Sequence, residues 1–323
     1  MVGKKVVIFG ICAFFILLMV GCTKVDGKIR IGITQYVSHV ALDSNRKGFM
    51  DGLASQGFDD KKVHFIFSNA QGDVATTNII ANDLISKKVD LIMAIATPSA
   101  QAVKNVAEDV KIPILFSAVT DPVESGLVES IDHPGGNVTG TSDMAPIDKQ
   151  LALIKELLPE AKRIGFVYSL GETNSIIQLA QVQDESDKLG LSIVSKGVTT
   201  STELADVLDL LLKEVDVLYI PTDNLVASSM PIVVSKAIEK QIPVIGSEKA
   251  HVENGALLTS GIDYYKLGFQ TGLMAARILN GEVPNDIPVE SLNETEIVIN
   301  MNTVKALGLT IPQDLLDQAT IID

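Results

Sequence analysis

Tryptophan is absent from this chain, aromatic residues make up 5 % of it, and cysteine occurs only at Cys12 and Cys22. Everything after position 22 is therefore without a thiol, which excludes disulfides, cysteine nucleophiles and thiolate metal ligands from the body of the protein. Stability must come from core burial, and 323 residues suffice for two domains of ordinary size. Histidine is nearly as scarce: His39, His64, His133 and His251 are scattered without metal-ligand spacing. No Gly-x-Ser-x-Gly elbow, phosphate-binding Gly-x4-Gly-Lys-Ser/Thr loop or Rossmann glycine fingerprint occurs, so no metal, cofactor or catalytic centre is signalled. Basic residues are outnumbered 26 to 40, and the net charge of −14 argues against nucleic acid and anionic membrane surfaces as partners. Hydrophobic residues at 46 % and charged residues at 20 % nevertheless describe a globular chain.

The one long apolar run lies at the start. Lys4 and Lys5 precede Val6 to Val20, and the run stops at Met19-Val-Gly-Cys22. Residues 1–21 are expected to be a lipoprotein export signal, too short for a comfortable membrane span. The Val-Gly-Cys ending resembles a bacterial lipobox, which would make Cys22 the lipid-modified first residue of the mature chain and residues 22–28 its tether. An uncleaved anchor helix is the alternative, and either places an exported domain on a membrane.

Asp90 to Pro122 is where a binding function first shows. Two continuous apolar runs, Asp90-Leu-Ile-Met-Ala-Ile-Ala96 and Ile114-Leu-Phe-Ser-Ala-Val119, flank a helical stretch, as in a parallel sheet covered on both faces. Ligands bind such sheets at the strand carboxyl ends, which here carry Thr97, Ser99, Ser117 and Thr120. Pro98 places Ser99 near a helix start, where unpaired N–H groups and short hydroxyls suit an anion such as a carboxylate. Thr97 and Ser99 would equally serve as helix caps.

Strand and helix patterns alternate from Ile29 onward, and the second half repeats the first. Arg30-Ile-Gly-Ile matches Arg163-Ile-Gly-Phe, Asp90-Leu-Ile-Met matches Asp216-Val-Leu-Tyr, and Ile112-Pro-Ile-Leu matches Ile242-Pro-Val-Ile. The expected fold is α/β, with two Rossmann-like doubly wound lobes, residues 29–143 and 144–255. Residues 256–323 supply crossovers and closing elements to both. A hinge of three crossings is expected near Gly140 to Met144, His251 to Asn254 and Gly281 to Glu290.

Together these features resemble a type I periplasmic binding protein. The order Gln35, His39, Ala41-Leu-Asp43, Gly48-Phe49, Ala96-Thr-Pro98, Ser117-Ala-Val-Thr-Asp-Pro122, Gly136-Asn-Val-Thr-Gly140 and Pro221-Thr-Asp-Asn224 is similar to the ABC transporter substrate-binding family that includes tryptophan- and tyrosine-binding lipoproteins. The resemblance implies a monomer without cofactor or catalytic role, lipid-anchored on the outer face of a bacterial membrane. It would take up an amino acid, aromatic by analogy, and hand it to a permease with a cytoplasmic ATPase. It also implies that Thr97, Ser99, Ser117, Ala118 (by its backbone) and Thr120 hold the ligand carboxylate, and that Asp223 and Asn224 face its ammonium.

Asp223 would alternatively cap the following helix. Gln35, His39 and Asp43 would face the same crevice from the first strand's end. Tyr36, Tyr168, Phe116 and Tyr219 are aromatic candidates near the mouth, the last two equally suited to the core. Ser247, followed by Glu248, is a further possible contact. A sensory receptor of the same fold and, less well supported, a secreted α/β enzyme are the alternative functions.

Overall fold

The computed structural model describes residues 27–107, 110–292 and 294–323; the export signal and Cys22 lie outside them. The chain begins with β1 (Ile29–Gln35), α1 (Val40–Ser55), β2 (Val63–Asn69), α2 (Val74–Ser86), β3 (Leu91–Ile95), α3 (Thr97–Val106), β4 (Ile114–Val119) and β5 (Val138–Ser142). It continues through α4 (Ile147–Leu157), β6 (Arg163–Ser169), α5 (Thr173–Lys188), β7 (Ser192–Val198), α6 (Ser201–Leu211), β8 (Val217–Ile220), α7 (Asn224–Ala227), α8 (Met230–Glu239), β9 (Val244–Gly246), α9 (Lys249–Glu253) and β10 (Leu258–Gly261). Then come α10 (Tyr264–Leu279), β11 (Glu290–Ser291), β12 (Glu296–Asn300), α11 (Met301–Ala306), α12 (Gln313–Leu316) and β13 (Thr320–Ile322).

Two sheets result, in the orders β11-β5-β4-β3-β1-β2 and β13-β12-β10-β9-β8-β6-β7. All pairings are parallel except that of β10 with β12. Five strands in each lobe follow one doubly wound order, which places the carboxyl ends of β1, β3, β4 and β5 opposite those of β6, β8 and β9. Every residue of β3, β4 and β8 is buried, which is why these strands read as unbroken apolar runs.

The repeated sequence motifs have a shared structural cause. Asp90 accepts from the Arg30 backbone N–H at 2.7 Å, and Asp216 accepts from Arg163 at 2.8 Å, so an aspartate fastens the start of each lobe's first strand to its central neighbour. Gly32 and Gly165 lie under packed aliphatic side chains, where an added Cβ would come within 2.9 Å of Leu84 and 3.0 Å of Leu218.

Two expected crossings fall elsewhere. The first passage, through residues 143–146, agrees with expectation. However, β10 pairs with β9 and β12 and so stays in the second sheet, which moves the second passage to residues 262–263. Likewise β11 pairs with β5 in the first sheet, which moves the third to the connection between β11 and β12. His251 to Glu253 thus ends α9, with Asn254 as its C-cap, and is second-lobe structure, not hinge.

The returning helix α10 is built into the first lobe by reciprocal glycines. An added Cβ would lie 2.0 Å from the Tyr265 carbonyl at Gly48 and 2.3 Å from the Phe269 carbonyl at Gly52. From the other side, it would lie 1.9 Å from the Asn45 carbonyl at Gly268 and 2.3 Å from the Phe49 carbonyl at Gly272. Only glycine lets the α1 and α10 backbones touch. The second lobe instead packs a separate core on each face of its sheet, one around Phe166 and Tyr219 and one around Leu208 and Val233.

Candidate ligand-binding site

The facing strand ends close around a cavity of about 10 Å³. The first lobe and its crossings line it with His39, Leu42, Ala118, Thr120, Asp143 and Tyr264, and the second lobe with Asn174, Thr222, Asp223, Asn224, Ala227 and Glu248. The lobes touch directly: Thr120 Oγ1 and Thr222 Oγ1 lie 3.0 Å apart, and His39 Nε2 is 3.3 Å from Asn224 Oδ1. This is a closed cleft.

The first-lobe wall is shaped by backbone. Ala96, just past β3, and Ala118, near the end of β4, adopt φ of +77° and +56°, sparsely populated backbone that costs non-glycine residues about 1–3 kcal/mol and that clusters at binding sites. Ala96 is the N-cap of α3, and neither Thr97 nor Ser99 caps it with a side chain; their Oγ atoms are buried without a partner among the described residues. Both stand at the helix start, though neither lines the cavity.

The second-lobe wall is acidic. Asp223, 1 % exposed, accepts from the N–H of Ser169 (2.6 Å), the Ser175 hydroxyl (2.6 Å) and the N–H of Val226 (2.8 Å). It therefore caps α7 while also facing the cleft, so the capping and cleft-facing placements are not exclusive. Glu172, fully buried behind it, accepts from Asn174, from both nitrogens of Asn224 and from the Leu225 N–H. Burial, then the nearby Asp223 charge, pushes Glu172 up to about 8, and burial raises Asp223 as well.

At the hinge side, Tyr264 donates to Asp143 Oδ2 at 2.5 Å and also faces Glu248. Burial lifts Asp143 to about 6 and Glu248 to about 8, the Asp143 charge adding to the latter. His251 Nε2 is 3.3 Å from Glu248 Oε1, but the atoms are not aligned for a hydrogen bond, and burial holds His251 down to about 3. His39, half-buried between the lobes, is lowered by burial to about 4.

Of the residues expected from the sequence, the structure brings His39, Ala118, Thr120, Asp223 and Asn224 to the cavity wall. The others lie around it or away from it. Gln35 is spent on Val37, Asp43 and Arg46, and Asp43 on Gln35 and Ser38, so both serve the loop leading into α1. Tyr36 is buried, its hydroxyl on the Gly72 carbonyl, close enough to Glu172 and Asp223 for their charges to raise it.

Ser117 joins an internal network with Asn45, Thr141 and Thr271, its side chain turned into the lobe because alternate β-strand residues face opposite sides. Tyr168 packs against Phe166, and Phe116 and Tyr219 are fully buried core residues. Ser247 is buried beside Glu248, its hydroxyl unpartnered among the described residues. Sequence reading missed Leu42, Asp143, Asn174, Thr222, Ala227 and Tyr264. Asp143 and Tyr264 flank the first two crossings, and the repeat between halves carries no signal for residues outside it.

Residues 30–322 match the family model for ABC transporter substrate binding proteins. A tyrosine-binding protein of Clostridioides difficile (strain R20291) is 47 % identical over 307 residues, 90 % of this chain and 88 % of that protein. A Streptococcus pneumonia ABC domain in complex with L-Trp matches with TM-score 0.88 at 37 % identity, covering 92 % of this chain and 100 % of that one. The ligand-free, open structure of a Clostridium difficile substrate-binding protein with adhesive properties reaches only 0.69 despite 48 % identity, over 91 % and 99 % of the two chains. The better match to the ligand-bound neighbour fits the contacts between lobes seen here: the chain is in the closed arrangement. The fold is that of type I periplasmic binding proteins, and the chain belongs to the family of ABC transporter substrate-binding proteins.

Proposed function

We propose that this solute-binding protein captures an aromatic L-amino acid, tyrosine or tryptophan, between its lobes and delivers it to a membrane permease driven by a cytoplasmic ATPase. The observation that carries the reading is the charge of the cleft. Asp143, Asp223 and Glu248 line it, Glu172 stands behind, and no lysine or arginine among the described residues lines it. Carboxylates gathered out of water without a cation are costly, and a ligand ammonium supplies the missing charge. Asp223, held by three donors, is its partner.

The ligand carboxylate goes to the opposite wall, to Thr120, the Ala118 backbone and the N-terminal end of α3 with Thr97 and Ser99. The relatives' ligands, tyrosine by name and L-Trp by structure, support the aromatic class. Contacts to both walls favour the shut form, which is the form a permease would distinguish from the open one. Cys22 as a lipid anchor would keep the protein beside that permease.

Calorimetry and thermal melting of residues 22–323 against the common amino acids test the proposal. Tyrosine or tryptophan is expected to raise the melting temperature selectively. Asp223→Asn is expected to weaken binding by about 30-fold or more, the loss of one partner of a buried charge pair. Stabilisation by none of the amino acids, or affinity untouched by Asp223→Asn, would sink it.

A further inference from the structure

The cavity has two acidic ends, and one ammonium serves only one of them. Asp223 with Glu172 forms the first, where the charge of Asp223 raises Glu172. Asp143 with Glu248 forms the second, on the hinge side, bridged by Tyr264. The three donors to Asp223 are all second-lobe groups, whereas the hinge-side pair joins a crossing residue to the loop after β9.

At the hinge end the hydrogen-bonding capacity is incomplete. Tyr264 has one hydroxyl proton and gives it to Asp143 Oδ2. Asp143 Oδ1 and Glu248 Oε1 then have no hydrogen-bond partner among the described residues, His251 Nε2 standing 3.3 Å from Glu248 Oε1 without forming one, although Asp143 is 4 % and Glu248 3 % exposed and both line the cavity. Buried acceptors of this kind are left open in native structures where something else fills them.

Building on the reading of the cleft as an amino-acid site, we infer that Asp143 and Glu248 select the ligand's side chain by accepting a hydrogen bond from it. With the ammonium on Asp223, the far end of the ligand reaches the hinge side. A phenol O–H or an indole N–H supplies the donor these oxygens lack. Phenylalanine, of the same ring size, would set a ring edge against both acceptors and offer them nothing. A site built to bond a ligand donor rejects the analogue without it more strongly than a pocket that measures size alone.

Ligand pairs matched in shape test this on the unmodified protein by calorimetry: tyrosine against phenylalanine and 4-fluorophenylalanine, and tryptophan against 3-benzothienylalanine, in which sulfur replaces the indole N–H. At least one donor-bearing ligand is expected to bind about 10- to 100-fold more tightly than its donor-free match. Glu248→Leu, which removes an acceptor, is expected to narrow that ratio chiefly by weakening the donor-bearing ligand, with circular dichroism reporting that the variant folds. Ratios within about 3-fold in the unmodified protein for all three comparisons overturn the inference while leaving the amino-acid site standing. Failure of all five compounds to bind overturns the inference together with the reading it rests on.

Discussion

The two lobes share a strand order and an aspartate clamp at the same place, yet their walls on the cleft are opposite in kind. The first lobe presents backbone, hydroxyls and Ala118 at positive φ; the second presents carboxylates held by N–H groups and amides. They also stand on different supports. The first is completed by a helix from late in the chain, pressed against α1 through four glycines, while the second packs both faces of its sheet with leucine, valine and isoleucine. Duplicated architecture therefore fixes where a ligand sits, and the few residues beyond each strand end decide which charge each wall holds.

The largest effect should come from the support of the first lobe. Gly268→Ala places a methyl group 1.9 Å from the Asn45 carbonyl, and relief requires the two helices to move apart. Overpacking of this kind usually costs 1–3 kcal/mol, and with backbone on the far side a loss of about 3 kcal/mol in urea unfolding is expected. Amide hydrogen exchange should show β1, β3 and β4 loosened more than β6, β8 and β9. Equal loosening would mean that the lobes are not separately supported.

A second effect should follow pH and comes from the acidic wall and its hinge-side neighbours. Glu172 and Glu248, both raised to about 8, hold protons in the folded closed form that the unfolded chain has released above its ordinary carboxylate range. Where the native state binds more protons, stability falls as pH rises, so their contribution is full below about 4.5 and lost as pH passes through about 8. His251, lowered to about 3, and to a lesser degree the half-buried His39, lowered to about 4, act in the other direction, but only below the ordinary histidine range near 6.5. Between pH 6.5 and 8.5 the acids act alone. Without ligand, the closed form should give way to the open one across that interval, read by small-angle scattering; saturating ligand should flatten the dependence. A closed fraction constant from pH 6.5 to 8.5 would show that these carboxyls do not govern closure.

The sequence disclosed the doubled architecture because its causes are local and recur: apolar runs buried on both faces, and an aspartate before each central strand. It disclosed Asp223, Asn224, Ala118 and Thr120 because they stand at or just past the ends of such strands. Gln35, Ser117 and Tyr168 went astray for one reason, that a residue at a strand end points either to the crevice or into the lobe, and polar identity does not say which. Asp143 and Tyr264 were hidden more deeply, since they meet only when two crossings 121 residues apart in the chain lie side by side. The glycines of α10 were legible as residues but not as a contact, because nothing in their own segment names α1 as the partner.

The smallest expected effect isolates the direct bond between the walls. Thr120 Oγ1 and Thr222 Oγ1 meet at 3.0 Å, and Thr222 also receives the Gln178 amide within its own lobe. Thr120→Val removes the inter-lobe bond while leaving the second-lobe network intact and changing side-chain volume little. A neutral hydrogen bond contributes about 0.5–1.5 kcal/mol, and this one exists only when the lobes are shut. The variant should therefore weaken ligand binding by about 3- to 10-fold, mostly through faster release, with little change in the stability of either lobe. Because Thr120 also stands on the carboxylate wall, the control is Thr222→Val, which breaks the same bond from the acidic side. Similar losses from the two would assign the effect to closure, and a loss confined to Thr120→Val would assign it to the carboxylate of the ligand, locating the anion on the first lobe.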